Sequence, residues 1–264
     1  MRALAILASC AVLAASAHAQ DPVRIKPLQM ATCPETPQSL AYDPSDPKSV
    51  RKAWKGAPRI VLALGLTRHE QLKALLARGE NPNVCVLGAS VLTLSAASGD
   101  IEEVEILLDG GADPDRPTDA LGGTPLLMAL DLGHWDVARL LLARGANPKA
   151  MTTGHMTSLI KLSGSWPSAP AQRAEQVTLA AYLIDHGVGV DDQLSGPGTS
   201  ALMMAAIRGN EELVQLLLQR GADPRLEDRR GQTALAFTAR KGHAAVAEVL
   251  ASALASAAPA SSEH

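Results

Sequence analysis

Aromatic residues are scarce in this sequence of 264 residues, where phenylalanine, tryptophan and tyrosine together make up 2% of the chain. Large β-sandwich and β-barrel cores use more aromatic side chains than this, so an all-β fold is disfavoured. Hydrophobic residues still make up 47% of the chain, which is enough for a buried core. We therefore expect a core of leucine and alanine, a composition that suits closely packed helices.

Clustered positive charge and long apolar runs are also missing. Lysine and arginine total 24, aspartate and glutamate total 27, and the formal net charge is −3. Nucleic-acid binding requires a basic patch, so nucleic acid is not the expected partner. No apolar run reaches the roughly 18–20 residues that cross a bilayer, so we expect no membrane span.

The N-terminus has the features of an export signal. Arg2 precedes an apolar run over residues 3–15, and the Ala-His-Ala sequence at 17–19 fits the small-x-small cleavage rule. We expect residues 1–19 to be a signal peptide and the mature chain, beginning at Gln20, to be periplasmic or secreted.

A lipid anchor is the alternative interpretation of the same segment. Residues 7–10 read Leu-Ala-Ser-Cys, which resembles a bacterial lipobox with Cys10 as the lipidated residue. The apolar run before this motif is short for an export signal, and it continues beyond Cys10. Plain export is therefore favoured over a lipoprotein.

Two cysteines, Cys33 and Cys85, remain after removal of the signal peptide. An exported protein meets an oxidising compartment, so a disulfide between them is predicted. In the chain-entropy model, closing a loop of about 50 residues contributes about 4 kcal/mol. Two buried free thiols are the alternative.

Internal repeats organise most of the remaining chain. A Gly-Ala-Asp-Pro motif at residues 111–114 recurs at 221–224, and it recurs as Gly-Ala-Asn-Pro at 145–148. Each copy follows a leucine-rich segment. With two weaker copies, the anchoring glycines are about 32 to 42 residues apart; they are Gly79, Gly111, Gly145, Gly187 and Gly221.

A second motif precedes each predicted pair of helices, and it reads Gly-Thr-Pro-Leu in full at residues 123–126. Threonine or serine caps a helix, and proline at the first helical position loses no hydrogen bond. A glycine between the two helices ends the first one in the left-handed conformation, and Asp-Pro or Asn-Pro opens a turn after the second.

These motifs, in this order, resemble those of the ankyrin repeat family, in which two antiparallel helices and a projecting turn stack repeatedly. The resemblance covers about residues 58–253 and implies an all-α fold class, an ankyrin-type helical solenoid of about six helix-turn-helix repeats with projecting turns. The fourth repeat is stretched: its second helix is expected at 175–185, with an insertion at 164–174.

The segments outside the repeats have different compositions. Residues 20–57 are rich in proline, and we expect them to be extended apart from one short capping helix. Residues 254–264 are an alanine- and serine-rich tail that we expect to be disordered.

No catalytic or metal-binding motif is present, since the chain lacks a nucleophile elbow, His-Glu-x-x-His and Cys-x-x-Cys. We therefore expect a non-catalytic protein without cofactor or metal. The resemblance instead implies that another protein binds the concave face, with the chain itself a monomer. The candidate partner-binding residues are Leu127, Ile160, Met203, Arg116, Lys149, Met151, His155, Trp166, Gln193, Arg225 and Arg229.

Three of these residues, Leu127, Ile160 and Met203, stand where the family signature has histidine. We call them the apolar row, because an accessible row of this kind would accept an apolar anchor of a partner. Burial between repeats is the alternative. Trp166, in the insertion, is either an interface anchor or packed back onto its own repeat.

The sequence thus predicts an exported interaction scaffold or adaptor. By analogy of fold, such a protein could support a periplasmic stress-defence enzyme. Two alternatives are a membrane scaffold anchored through Cys10 and an enzyme inhibitor or effector that acts through the loop at 164–174. The sequence does not fix the identity of the partner.

Overall fold

The computed structural model describes residues 59–64, 69–86, 88–118, 122–167 and 169–256. The predicted signal peptide, Cys10, the proline-rich segment with its capping helix, and Cys33 lie outside the described residues. The predictions made for these parts of the chain therefore stay predictions.

Helices dominate the described residues, and they follow one another in pairs. The two short strands β1 (Cys85–Val86) and β2 (Ala89–Ser90) form an antiparallel hairpin. The helices are α1 (Arg59–Ala63), α2 (His69–Ala77), α3 (Val91–Ser98), α4 (Ile101–Asp109), α5 (Pro125–Leu132), α6 (Trp135–Ala143), α7 (Ser158–Gly164), α8 (Pro170–Asp185), α9 (Ala201–Arg208), α10 (Glu211–Gln219), α11 (Ala234–Lys241) and α12 (Ala244–Ser256).

The first helix of a pair begins at a capping hydroxyl, as the sequence predicts. Ser90 caps α3, Thr157 caps α7 and Ser200 caps α9, and each side chain accepts a hydrogen bond from the backbone N–H three residues later. Such a cap contributes about 0.5–2 kcal/mol. Two of these helices end at left-handed glycines, Gly99 and Gly209, which confirms the predicted stop signal.

The second helix of a pair buries its leucine stripe. Leu107, Leu141, Leu183 and Leu217 are completely buried at corresponding positions in four repeats. Full burial of a leucine side chain stabilises the fold by about 1.5–3 kcal/mol. The carbonyl of each leucine also accepts a backbone hydrogen bond from the turn that follows, for example from Ala112 N at 2.9 Å. This bond closes the helix end.

The described residues form two units by their contacts. The first unit extends to Ala129 and includes Asp136–Asn147; the second holds Leu130–Trp135 and the chain from Pro148 onward. In the first unit, α4 packs against both α2 and α3. In the second unit, the first helices α7, α9 and α11 pack side by side, and so do the second helices α8, α10 and α12. The all-α repeat architecture is therefore confirmed.

The fourth repeat differs from the sequence prediction. Its second helix α8 begins at Pro170, five residues before the predicted start, so much of the insertion at 164–174 is helical rather than loop. Proline at the first helical position needs no hydrogen-bond partner, and Gln172 Oε1 accepts a hydrogen bond from Ala169 N at 3.2 Å. At the C-terminus, α12 extends to Ser256, so the predicted tail begins with three helical residues.

Among the described residues, none of the helices combines the length and the apolar character that crossing a bilayer requires.

Candidate partner-binding surfaces

The apolar row is buried, so the prediction that it forms an accessible surface is wrong. Leu127, Ile160 and Met203 have exposed fractions of 1%, 2% and 1%. Each lies three residues after a capping hydroxyl, and its backbone N–H donates to that hydroxyl. In the second unit, Ile160 and Met203 stand on first helices that pack side by side, so neighbouring repeats cover them. The alternative interpretation, burial between repeats, is correct.

Six other predicted residues lie on consecutive turns of the second unit. We call them the turn surface: Lys149, Met151, His155, Gln193, Arg225 and Arg229. Five are exposed and Gln193 is half-buried. Met151, with 47% of its side chain exposed, is the large apolar member of this set. The turn surface therefore combines one apolar side chain with several polar and positively charged ones.

Side-chain and backbone hydrogen bonds join the first two of these turns. His155 Nδ1 lies 2.5 Å from Ser195 Oγ, and Ser195 N donates to Gly154 O at 2.9 Å. His155 adopts a φ of +57°, a left-handed conformation that is uncommon for residues other than glycine. The hydrogen bond to the next turn holds the imidazole in a fixed position on the surface.

A second set of hydrogen bonds joins the next two turns. Gln193 Nε2 donates to Glu227 O at 2.8 Å, and Arg229 N donates to Pro197 O at 2.9 Å. These bonds fix the turns relative to each other. A further bond from Gln193 Nε2 to Gly198 O, at 2.7 Å, lies within its own turn. A shallow pocket of about 270 Å³ lies between the turns, and it is lined by Gln193, Leu194, Ser195, Gly198, Glu227, Asp228 and Arg229.

The charges of the turn surface are mixed. Exposed cations such as Arg225 and Arg229 alternate with acidic side chains such as Asp192 and Glu227 on the same turns. A surface of alternating sign favours a partner with a matching pattern of charge over a uniformly charged polymer. The arrangement can position a partner by shape and hydrogen bonding.

Arg116 belongs to a turn of the first unit. Its Nε contacts Cys85 Sγ at 3.4 Å, and both side chains are half-buried. Because Cys33 lies outside the described residues, the disulfide with Cys85 stays a prediction. Next to Arg116, burial raises the pKa of Asp115, although the hydrogen bond that its Oδ1 accepts from Asn147 N at 2.8 Å opposes this shift.

Asn83 occupies the position that corresponds to Asp115 in the preceding repeat and makes the same contact with the following turn. Its Oδ1 accepts a hydrogen bond from Asp113 N at 2.8 Å, the same kind of contact between successive turns. An uncharged amide therefore serves this position as well as a carboxylate does. The charge of Asp115 is not needed for the contact.

Trp166 lies on the connection between α7 and α8, whereas the turn surface precedes the first helices. It is thus at the other end of α7 from the turns, and the structure does not bring it together with the turn surface. The indole is 71% exposed, and the Arg208 guanidinium lies over its ring, 4.8 Å from the centroid. Trp166 is therefore not buried on its own repeat, but its ring contacts Arg208 of the next one. Trp135, in contrast, is buried.

A polar cluster in the first unit was missed at the level of sequence. His69 Nε2 lies 3.1 Å from Asp100 Oδ2, and His69 Nδ1 lies 2.9 Å from Glu102 Oε2. Burial lowers the pKa of His69, but hydrogen bonds and charge interactions with both carboxylates outweigh this effect and raise the pKa. The cluster joins two repeats, so no motif spacing could indicate it.

Three side chains of this region could hold a metal ion. His69, Asp100 and Glu103 each offer one ligand atom, and these atoms lie within 4.8 Å of one another. In the structure they already have partners, since His69 is paired with Asp100, and the buried carboxylate of Glu103 accepts a hydrogen bond from Ser95 Oγ at 3.0 Å. The expectation that the protein holds no metal stays a prediction.

Capped helix pairs, buried leucine stripes and hydrogen-bonded turns together define a tandem helix-turn-helix repeat protein. Comparison with known families agrees. A sequence profile of ankyrin repeats in three copies matches residues 60–152 and 171–258, which is more than half of the chain. The chain belongs to the ankyrin repeat family. The interval between the matched stretches includes the connection that carries Trp166.

Similar proteins come from several kingdoms. The chain is 32% identical over 160 residues to an ankyrin repeat and SAM domain-containing protein 6 of Danio rerio, covering 58% of this chain and 20% of the relative. It is 37% identical over 112 residues to an ankyrin repeat-containing protein of Treponema pallidum, covering 42% of this chain and 35% of the relative. It is 28% identical over 207 residues to the E3 ubiquitin-protein ligase KEG of Arabidopsis thaliana, covering 74% of this chain and 12% of the relative. The chain thus spans about a third or less of the length of these relatives.

Proposed function

We propose that this chain is a non-catalytic adaptor that is exported and binds a partner protein through its turn surface. Ankyrin repeats are protein–protein interaction modules, so the binding role rests on the family. The choice of surface rests on one observation: three consecutive turns of the second unit are hydrogen-bonded to one another and present exposed, chemically varied side chains.

A rigid surface of this kind suits binding. Side chains and loops that are already ordered lose little conformational entropy on association. His155 and Gln193 are held by hydrogen bonds to the following turn, while Met151 offers exposed apolar area on the same turn as His155. The sequence suggested that the apolar row would accept an apolar side chain of the partner. Because that row is buried, we infer that the exposed Met151 makes this contact instead.

Export is the second part of the proposal. It is supported by Arg2, the apolar run over residues 3–15 and the Ala-His-Ala sequence at 17–19. In the periplasm, a stress-defence enzyme is the partner class that we favour, by analogy of fold alone.

Site-specific cross-linking tests the binding surface. A photoreactive amino acid replaces Met151 in the full-length chain, and the matched control carries it at Ile101, which is 45% exposed on a helix of the first unit. We expect Met151 to cross-link one protein that Ile101 does not. Equal products from both positions, or none from Met151, would contradict the proposed surface.

The export proposal has its own test. Intact-mass spectrometry of the protein purified from a bacterial host shows where the mature chain begins. We expect a free N-terminus at Gln20. A lipid on Cys10 would instead establish the membrane-anchored scaffold, and an uncleaved chain would contradict export.

A further inference from the structure

The Trp166 side chain is a large apolar group left in solvent at a defined position. With 71% of its area exposed, the indole does not contribute to the core as Trp135 does. It nevertheless has a fixed neighbour, because Arg208 from the following repeat places its guanidinium over the ring at 4.8 Å. The positive charge of the guanidinium is attracted to the electron-rich face of the aromatic ring.

Within the Arg208 guanidinium, Nε is hydrogen-bonded to the protein, whereas the two terminal nitrogens point to no described partner. Its Nε donates a hydrogen bond to Gly164 O at 2.6 Å, which ties the side chain to the end of α7. In the part of the chain that the structure describes, Nη1 and Nη2 have neither a hydrogen-bond nor an ion-pair partner. Two parallel N–H groups on a fixed guanidinium match the two oxygens of a carboxylate.

A second cation stands at the corresponding position of the next repeat. Arg208 and Lys241 are the last residues of α9 and α11, which pack side by side. The turn after Lys241 lies against the end of α9, since His243 Nε2 is 3.1 Å from Ile207 O. A Cβ on Gly209, which has a φ of +69°, would lie only 2.6 Å from the His243 ring. The exposed Lys241 has no carboxylate within ion-pair distance among the described residues.

The cations are stabilised at these positions by the helix dipoles, whose negative ends they face. That effect explains a positive charge at each helix end, but it explains neither the exposed tryptophan nor its stacking with Arg208. Glu211 and Glu212, which follow shortly after Arg208, do not form ion pairs with it. The combination of an open aromatic ring with two uncompensated cations is complementary to a negatively charged, partly apolar ligand.

We propose that Trp166, Arg208 and Lys241 form a second docking site, the aromatic–basic site, which binds an acidic segment of a partner protein. One carboxylate of the segment binds Nη1 and Nη2 of Arg208, a second lies near Lys241, and an apolar side chain on the side of Arg208 away from Lys241 packs on the exposed indole. This site extends the proposed adaptor function, but it does not include the turn surface. Its test therefore succeeds or fails independently of cross-linking from Met151.

The test uses a fluorescently labelled, terminally blocked peptide in which glutamate and leucine alternate. Its binding to the full-length protein is measured by fluorescence anisotropy at several salt concentrations, beside a counterpart peptide with lysine in place of glutamate. We expect only the acidic peptide to bind, with an affinity that falls as salt increases. Binding should also protect the Trp166 indole from quenching by acrylamide.

Variants separate this site from general attraction. Arg208→Gln should weaken binding about tenfold, which corresponds to about 1.4 kcal/mol. Arg230→Gln, on an exposed turn of the same unit, removes the same charge and is the matched control, expected to change the affinity less than about twofold. Trp166→Ala should weaken binding while Trp166→Phe retains it, and thermal melts followed by circular dichroism verify that each variant folds.

Three results would overturn the proposal. The acidic peptide does not bind the wild-type protein, Arg208→Gln and Arg230→Gln weaken binding equally, or Trp166→Ala binds as Trp166→Phe does. Vesicles of phosphatidylglycerol are tested in parallel. Binding to vesicles without binding to the peptide would assign the site to a membrane surface instead.

Discussion

Gln176 and Asn210 form a buried hydrogen-bonded pair that connects α8 to the start of α10. Gln176 Oε1 accepts from Asn210 Nδ2 at 2.6 Å, and Gln176 Nε2 donates to Leu162 O at 2.6 Å and to Ser165 Oγ at 3.2 Å. Both side chains are almost completely buried. Asn210 also caps α10, because its Oδ1 accepts from Leu213 N at 3.1 Å.

Truncation of Gln176 has a calculable cost. Gln176→Ala removes three hydrogen bonds and leaves Asn210 Nδ2 buried without a partner, which costs about 1–3 kcal/mol. Loss of one buried methylene group adds about 0.8 kcal/mol. Leu162 O keeps the hydrogen bonds that it accepts from Ser165, so it adds no further penalty. We expect the free energy of unfolding to fall by about 2–4 kcal/mol.

Urea denaturation followed by circular dichroism measures this effect. The matched control is Gln215→Ala, since Gln215 is an exposed glutamine on α10 whose side chain donates to the exposed Glu211, and its truncation should change stability by less than about 0.5 kcal/mol. Asn210→Ser keeps a capping oxygen but removes the amide that faces Gln176. The double variant should therefore lose less stability than the sum of the single variants. If Gln176→Ala were no more destabilised than Gln215→Ala, the buried pair would not stabilise this part of the fold.

The remaining predictions concern charge, packing and oxidation. Asp115→Asn should stabilise the protein at neutral pH, because the raised pKa of Asp115 means that stability falls as the pH rises from 3.8 through that pKa. Thermal melts between pH 3 and 8 should show a smaller fall in melting temperature with rising pH for the variant than for the wild type, and an unchanged profile would contradict this. The stability that protonated His69 contributes is present below pH 6.5 and is lost as the pH rises through its raised pKa. Thermal melts should therefore show that the destabilisation caused by His69→Gln becomes smaller as the pH rises, and a destabilisation that does not change with pH would contradict the ion pairs. Met203→Ala should cost about 2–5 kcal/mol in urea denaturation, and a neutral effect would mean that the site is not core. Non-reducing digestion of the exported protein should give one cross-linked peptide pair that contains Cys33 and Cys85, whereas two free thiols would contradict the bridge.

Local chemistry predicted the parts of the fold that depend on neighbouring residues in sequence. The hydroxyl of Ser200 caps α9 and Gly209 ends it, and both roles follow from rules that act within one helix. The burial of Leu217 follows from the same helical periodicity. The early start of α8 could also have been predicted from the sequence, because Pro170 is a residue that favours the first helical position.

Contacts between repeats could not be predicted in the same way. Met203 was expected to face a partner, but the packing of α9 between α7 and α11 buries it, and one repeat alone does not show which side its neighbours cover. The stacking of Arg208 on Trp166 likewise joins residues of two repeats. The apolar character of the row was itself a signal for burial, since a large hydrophobic side chain is more often core than surface.

The turn surface carries the central claim, and hydrogen–deuterium exchange of the protein with and without its cross-linked partner tests it most directly. Partner binding should slow exchange in the turns at residues 149–157, 191–200 and 225–233, where the joined turns present Met151 and His155. Peptides from the completely buried leucine stripe should not change. Protection confined to segments outside these three turns would contradict the account and move the partner to another face of the protein.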